Sequence, residues 1–353
     1  MIKIKSFFTK LLQWEHWPTF MFYMPLFPYY IITAIKAKHP FFFLTINPAI
    51  KYSGNGTESK FETIQLIPQK YKPSSILIKE GEPFVDVLLK IQEKNIHFPL
   101  IAKPDIGFRG YLVKKIDSKE DLEMYLKKND IDIIIQEFID YKHECGILYH
   151  KIPGEDKGKI TSITLKKFLT VTGNGNASLS ELILNDKRAY LYYDLLKNIH
   201  REKILAIPKK GVQIKLTVIG NHSKGTQFIN GNHLITKELE QTLDTLHQQI
   251  TGWNYGRLDI KYNTFEELTA GEYFKILEIN GIISEPTHIY DPTNASYFDA
   301  IRSIKKHWSI MNKIALKNHQ IFHIPYPKTT PYIKEMLWLR SYSKKLIKLS
   351  KRH

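Results

Sequence analysis

Apolar and polar positions along the chain change period several times, and each change marks an element. Residues 83–93 and 119–128 read as helices, and residues 58–66 as a shorter one. Residues 98–104 and 111–116 read as two short strands around the Gly-containing loop Asp105-Ile106-Gly107-Phe108-Arg109-Gly110. Residues 131–139 are a buried-looking strand that ends in polar side chains, and residues 41–46 read as another buried strand. Later, 256–260 and 275–281 read as paired strands, the first ending on an acid and the second on an acid and an amide. Pro325 and Pro327 mark a break before the C-terminal stretch, and no internal repeat appears.

The ends of the chain carry a different pattern. Lys3, Lys5 and Lys10 alternate with apolar residues, and 17–35 contains no charged residue. Pro18, Pro25 and Pro28 interrupt that run, so a straight membrane-spanning helix is not expected, and no small-residue cleavage site follows it. Its Trp, Tyr and Phe residues suit a lipid interface, with an ordinary buried subdomain as the alternative. Residues 332–353 form a basic amphipathic tail, which reads as a membrane-surface or partner helix, or as a helix that closes the fold.

Composition narrows the classes. A chain of 353 residues can hold two or three compact subdomains. Lys and Arg outnumber acids 51 to 35, a formal charge of +16 that favours anionic partners. No nucleic-acid recognition module is legible, so a membrane surface is the preferred macromolecular partner. The single cysteine, Cys145, excludes an intramolecular disulfide framework and a Cys-based zinc site. The expected location is the cytoplasm, with a peripheral position on the inner face of the membrane.

The chemistry gathers around Gly256-Arg257-Leu258-Asp259-Ile260 and Lys275-Ile276-Leu277-Glu278-Ile279-Asn280-Gly281. If these strands pair, Asp259, Glu278 and Asn280 converge, and three hard oxygen donors suit Mg²⁺ held partly by nucleotide phosphates. Arg257, two residues from Asp259, shares its face. A hairpin with solvated acids is the plain alternative. Upstream, Lys103 can bring a point charge to phosphate, and Gly107, Arg109 and Gly110 lie in a loop whose backbone can approach phosphate oxygens.

Taken in order, these motifs resemble the ATP-grasp superfamily, in particular carboxylate–amine ligases such as D-alanine–D-alanine ligase, over residues 58–296. The fold this implies is α/β (α+β), two α+β subdomains gripping ATP. The expected organisation is an N-terminal basic and aromatic region (1–40), a pre-ATP-grasp segment (41–80), a small ATP-binding subdomain (81–144), a large subdomain with the metal site (145–310) and the basic tail (311–353). The resemblance implies that Lys103 meets the α- and β-phosphates, that Gln136, Glu137 and Ile139 form the adenine hinge, and that Glu144 holds ribose. It makes Asp259, Glu278 and Asn280 ligands of Mg²⁺ (Mn²⁺ as the alternative), with Arg257 on the transferred phosphoryl group.

Residues 171–183, Val-Thr-Gly-Asn-Gly-Asn-Ala-Ser-Leu-Ser-Glu-Leu-Ile, look like the V-x-G-D-G-x-x-T-x-x-E-L-I segment of ligases related to cyanophycin synthetase, with Asn174 where an acid is usual. Ser178 and Glu181 also fit a capping box. Lys166 or Lys167 would supply a second lysine, and Lys167 is carried as the cofactor-side candidate. His222, Lys224, Glu285 and His288 are the substrate-side candidates, and the departure from the dialanine-ligase ending after Asn280 argues against D-alanine. The expected activity is ADP-forming ligation of a small-molecule or lipid-linked carboxylate to an amine. An ATP-grasp kinase and a non-catalytic nucleotide-binding protein at a membrane surface are the alternatives. A homodimer is compatible with the resemblance.

Overall fold

The computed structural model describes residue 14 and residues 17–217, 219–221, 224–291, 293 and 296–351. The first sheet contains β1 (Ser75–Ile78), β2 (Leu100–Pro104), β3 (Lys114–Ile116) and β4 (Ile133–Glu137), in the antiparallel order β1-β4-β2-β3. One face is closed by helices Phe84–Glu93 and Lys119–Lys128, whose Val87, Ile91, Leu122 and Tyr125 pack on Ile76, Leu100, Ile133 and Ile135. The second of these helices is well specified locally. Ser118 caps its first turn, Glu120 and Asp121 follow, and Lys127 and Lys128 close its last turn, which complements the helix dipole at both ends.

The second sheet begins with β5 (His143–His150) and β6 (Lys159–Lys167). A separate two-stranded pair, β7 (Thr170–Thr172) and β8 (Gln213–Lys215), follows. Then β9 (Gln227–Asn230), β10 (Tyr255–Tyr262) and β11 (Phe274–Asn280) complete the antiparallel order β11-β10-β5-β6-β9. Strand alternation divides β10: Leu258, Ile260 and Tyr262 enter the core beside Leu239, Leu243 and Leu246 of helix Lys237–His247. Arg257, Asp259 and Lys261 face the other way, into a cavity. The expected α/β class, with two α+β units around a cleft, is the architecture found.

Two readings are corrected. Residues 41–46 do not form a strand. Phe42–Thr45 is a 3-10 turn with Phe42 and Leu44 buried. Thr45 Oγ1 donates to its own turn (2.9 Å), and Asn318 Nδ2 caps the Thr45 and Ile46 carbonyls at 2.7 and 3.1 Å, so the run is buried without a ladder. The strand read at 111–116 starts only at Lys114, because Arg109, Gly110 and Leu112 adopt φ of 52°, 66° and 58°, which an extended strand does not allow. The basic tail is helix Thr329–Ser350, and its apolar side closes the fold: Leu346 and Leu349 complete the first sheet's core, and Tyr332 packs on Phe41 and Tyr52.

At the N-terminal side, the uncharged run becomes Thr19–Tyr23, a 3-10 turn at Met24–Leu26 and Phe27–Ala37. Among the described residues no helix is long and apolar enough to cross a membrane. The basic stretch 1–13 lies outside the described residues.

Asn47 joins the segment before the first sheet to β10. It is fully buried, its Nδ2 donates to the carbonyls of Ser53 (3.0 Å) and Tyr255 (2.8 Å), and its Oδ1 accepts from the backbone of Asn254 (2.8 Å) and Tyr255 (2.9 Å). Asn47→Ala would strand these buried backbone groups, each costing about 1–3 kcal/mol. The expected result is a loss of about 3 kcal/mol or more in denaturant unfolding, with Asn47→Asp failing to rescue it because a carboxylate cannot donate to the two carbonyls.

Candidate active site

A cavity of about 810 Å³ lies between the two sheets, with walls from both. Lys103, Gly107, Arg109 and Gly110 line it from the first sheet and its loop, and Glu144, Lys166, Arg257, Asp259, Glu278 and Asn280 from the second. The β10–β11 register sets Asp259 opposite Glu278 and Arg257 opposite Asn280, so four side chains share one face. Simple alternation along Ile276, Glu278 and Asn280 would have placed all three together. Instead the register shifts between Asp259 and Ile260, which oppose Glu278 and Ile276. Leu277 is the extra residue, and this bulge sends Ile276 to the core while Glu278 and Asn280 turn to the cavity.

Two carboxylates facing each other in a buried sheet need cations, and several elements supply them. Arg257 Nε donates to Asp259 Oδ1 at 3.0 Å and its terminal nitrogen to Oδ2 at 3.4 Å. Lys166 Nζ lies 2.7 Å from Glu144 Oε1 and 3.3 Å from Asp259 Oδ1. Lys60, from helix Lys60–Gln65, is ion-paired with Glu278. Burial works against ionising Asp259, but Arg257 and Lys166 outweigh it and hold the carboxyl well below its usual range. Burial likewise opposes ionised Glu278, and Lys60 and Lys103 overcome it. The Lys60 and Lys166 ammonium groups are held above the usual lysine value, despite burial, by Glu278 and Glu58 for the first and Asp259 and Glu144 for the second.

Gly146 on β5 makes this packing feasible. It pairs with Asp259, and a Cβ there would stand 2.9 Å from Arg257 Cδ. The Asn55 region approaches the end of β11 in a similar way. Gly54, at φ 79°, lies so close to Gly281 that a Cβ would meet its Cα at 2.6 Å.

Lys103 differs from its neighbours. Its Nζ donates to Gln136 Oε1 (3.1 Å) and to the Leu277 carbonyl (3.2 Å) beside the bulge. Burial pushes its pKa down to about 8, with Glu278 opposing and Lys60 reinforcing the fall. At the end of β4 and just beyond it, Glu137 and Ile139 line the cavity, the Glu137 carboxylate accepts from Ser74 N (3.0 Å), and the Ile139 carbonyl accepts from Lys261 Nζ (2.9 Å).

Other candidates are placed differently. Lys166 rather than Lys167 faces the cavity, since alternation along β6 leaves Lys167 exposed on the opposite side. His288 is outside the lining: its Nδ1 meets Ser162 Oγ at 2.7 Å, and burial with Lys306 pushes its pKa down to about 4. Lys224 stands behind the wall, its Nζ 5.6 Å over the Tyr111 ring. Glu285 lines the cavity, whereas His222 lies outside the described residues. Asn174 does not line the cavity; its Oδ1 accepts from Asn176 N (2.9 Å) and Ala177 N (2.8 Å), leading into the capping box of Ser178 and Glu181. Sequence reasoning missed Glu58, Lys261, and the contributions of Trp14, Phe22 and Tyr23 from one end and Leu339 and Ser343 from the other. Their neighbours in sequence give no sign of these long-range placements.

The donor set fits a hard divalent cation. Asp259, Glu278 and Asn280 offer oxygen, and Asn280 Nδ2 donates to Asp259 Oδ2 (3.3 Å), which leaves the amide oxygen as its available donor atom. Among the described residues no three His, Cys, Asp or Glu side chains gather in metal-holding fashion.

No protein-family model matches the chain, and no curated protein does. Solved structures similar to it include a bifunctional glutathione synthetase from Pasteurella multocida, at 13% identity over 73% of this chain and 36% of that one, TM-score 0.37. The VanG D-Ala:D-Ser ligase from Enterococcus faecalis matches at 13% identity over 75% of this chain and 64% of its own length, TM-score 0.42. The D-alanine–D-alanine ligase from Bacillus anthracis matches at 12% over 77% and 71%, TM-score 0.42. The chain thus spans about a third of the first of these and just under two thirds of the second. The likeness carries no argument about activity or substrate.

The depressed pKa of Lys103 has a consequence for stability. Its folded value of about 8 lies below the unfolded 10.5, so the unfolded chain binds the extra proton between these values. Stability from this group is therefore lowest below pH 8 and rises through pH 8 to 10.5. Lys103→Met is expected to be more stable than wild type at pH 7, by at most about 3 kcal/mol, with the gap closing by pH 10 in urea melts. A constant gap would show that burial does not penalise this ammonium.

Proposed function

We propose that the chain is an ATP-dependent ligase of the ATP-grasp kind, which activates a substrate carboxylate as an acyl phosphate and joins it to an amine, releasing ADP and phosphate. The observation that carries this reading is the single face of β10 and β11 on which Arg257, Asp259, Glu278 and Asn280 lie together, with Lys103 reaching across from the other sheet. A binding module has little need of such a set.

In this reading Asp259, Glu278 and Asn280 hold Mg²⁺, or Mn²⁺, which when bound supplies charge neutralisation on the phosphates. Lys60 and Lys166 keep the two carboxylates ionised and so keep the donor set ready. Lys103 and the Gly107–Gly110 loop receive phosphate oxygens, and the transferred group's negative charge is met by Arg257, whose guanidinium Asp259 orients. Gln136, Glu137 and Ile139 border the base. The carboxylate oxygen attacks the γ-phosphorus, ADP leaves, and the amine then displaces phosphate from the acyl carbon as its proton is lost. The substrates are a small-molecule or lipid-linked carboxylate and an amine, and a peripheral position on the inner membrane face belongs to the same proposal.

The test is release of ADP and inorganic phosphate with Mg-ATP and fractionated metabolites or lipids. Glu278→Gln and Asp259→Asn should each lower turnover by about 10²–10³-fold or more while the fold is retained, at a reduced melting temperature because Lys60 or Arg257 loses its buried partner. Wild-type turnover in either variant would sink the metal assignment. A stable phosphorylated product without phosphate release would make the protein a kinase.

A further inference from the structure

Trp14 and residues 17–37 present two unlike faces. Inward, Phe22 and Leu26 are buried against Ile289, Ala300 and Ile304. Trp14, Phe22 and Tyr290 form a ring cluster with centroids 5.6 to 6.4 Å apart on the cavity wall. Within it the Tyr23 hydroxyl donates to one oxygen of Glu285, and the Tyr290 hydroxyl to the other at 2.6 Å. A carboxylate set among aromatic faces suits a cationic amine.

Outward, Phe20, Met24, Phe27, Ile31 and Ile35 are exposed, Phe20 at 73% and Ile35 at 70%. Their spacing of four, three, four and four residues draws one stripe along the helical segment 19–37. No Asp or Glu occurs between Glu15 and Glu58, while Lys36 and Lys38 end the segment. The adjoining helix Tyr297–Gln320 adds exposed Phe298 and Arg302, and Lys305 over the Tyr29 ring at 5.4 Å; its first-turn acid, Asp299, is paired with Arg302 at 2.7 Å. An apolar stripe bordered by cations matches an anionic lipid surface. A second copy of the chain would bring like charges together, and no described helix is fit to cross the membrane.

We propose that this stripe seats on an anionic bilayer and that the acceptor amine enters the cavity as the head group of an amphiphile held in that bilayer. The second half rests on the ligase reading. The geometry behind it is that one helix, about 10 Å across, separates the exposed stripe from the Glu285 pocket.

The full-length protein is sedimented with phosphatidylglycerol or phosphatidylcholine vesicles, beside the triple variant Phe20→Ser, Phe27→Ser, Ile31→Ser. Wild type should bind the anionic vesicles, more weakly as salt rises, and the variant at least tenfold less, with an unchanged melt because these side chains are exposed. Equal binding by the variant, no binding by wild type, or a wild-type dimer in light scattering that the variant loses would each overturn the docking. For the head group, monomeric dihexanoylphosphatidylethanolamine should raise the melting temperature of wild type more than equimolar ethanolamine does, and Glu285→Gln should abolish the shift. No shift, or an equal shift in Glu285→Gln, overturns the acceptor assignment. Neither measurement requires turnover, so a failed ligase reading shows separately as absent ADP release.

Discussion

Two carboxylates placed directly opposite one another, Asp259 and Glu278, impose the constraint on which the rest of the structure depends. Like charges across a strand pair repel, and burial magnifies the cost. The fold meets it with cations from four stretches of chain: Arg257 on the same strand, Lys166 on β6, Lys60 on a helix before the first sheet, and Lys103 on the first sheet itself. The acid pair can therefore exist only where the two sheets close on one another, so cleft and charge network define each other. Buried ion networks of this type add little net stability. Lys103, whose burial is unfavourable while it is charged, is a cost to the fold at neutral pH.

Much of this was legible in the chain. The strands that carry Lys103, Gln136, Asp259 and Glu278 follow from short apolar runs with polar ends, and helix 119–128 follows from its cap and its charge gradient. What periodicity could not supply was the bulge at Leu277. A two-residue period treats Ile276 and Glu278 as neighbours on one face, while the inserted residue sends one to the core and the other to the cavity. The choice between Lys166 and Lys167 likewise turns on which side of β6 meets the core, a tertiary fact. Residues 41–46 misled because burial and β-rich composition look alike whether or not a partner strand exists.

Asn174 shows why a motif departure need not signal lost chemistry. The residue sits in an exposed turn and uses its side-chain oxygen on two backbone N–H groups, a task that Asn and Asp perform alike. The segment's likeness to ligase sequences therefore reflects, in this chain, the geometry of a loop entering a capped helix. The paired acids, the amide and the arginine of the cleft lie elsewhere, on β10 and β11, and owe nothing to it.

The described residues toward each end of the chain, which in sequence suited a lipid surface or a place in the fold, border the cavity. Leu339 and Ser343 of the last helix border the cavity, while Leu346 and Leu349 of that helix fill the first sheet's core. Trp14, Phe22 and Tyr23 close the opposite end. Amphipathicity explains both outcomes, because a helix that satisfies a core with one face must display the other. The difference lies in what remains outside. The last helix shows Leu337 and Trp338 among many charges, whereas residues 19–35 show a stripe with no charge at all. The cavity lining carries seven lysines and arginines against six acids, so the chain's +16 excess belongs chiefly to its surface. That surface charge has its physical meaning where it borders exposed apolar area, since lysines that ring a hydrophobic stripe favour an anionic interface over water on one side and over a second copy on the other.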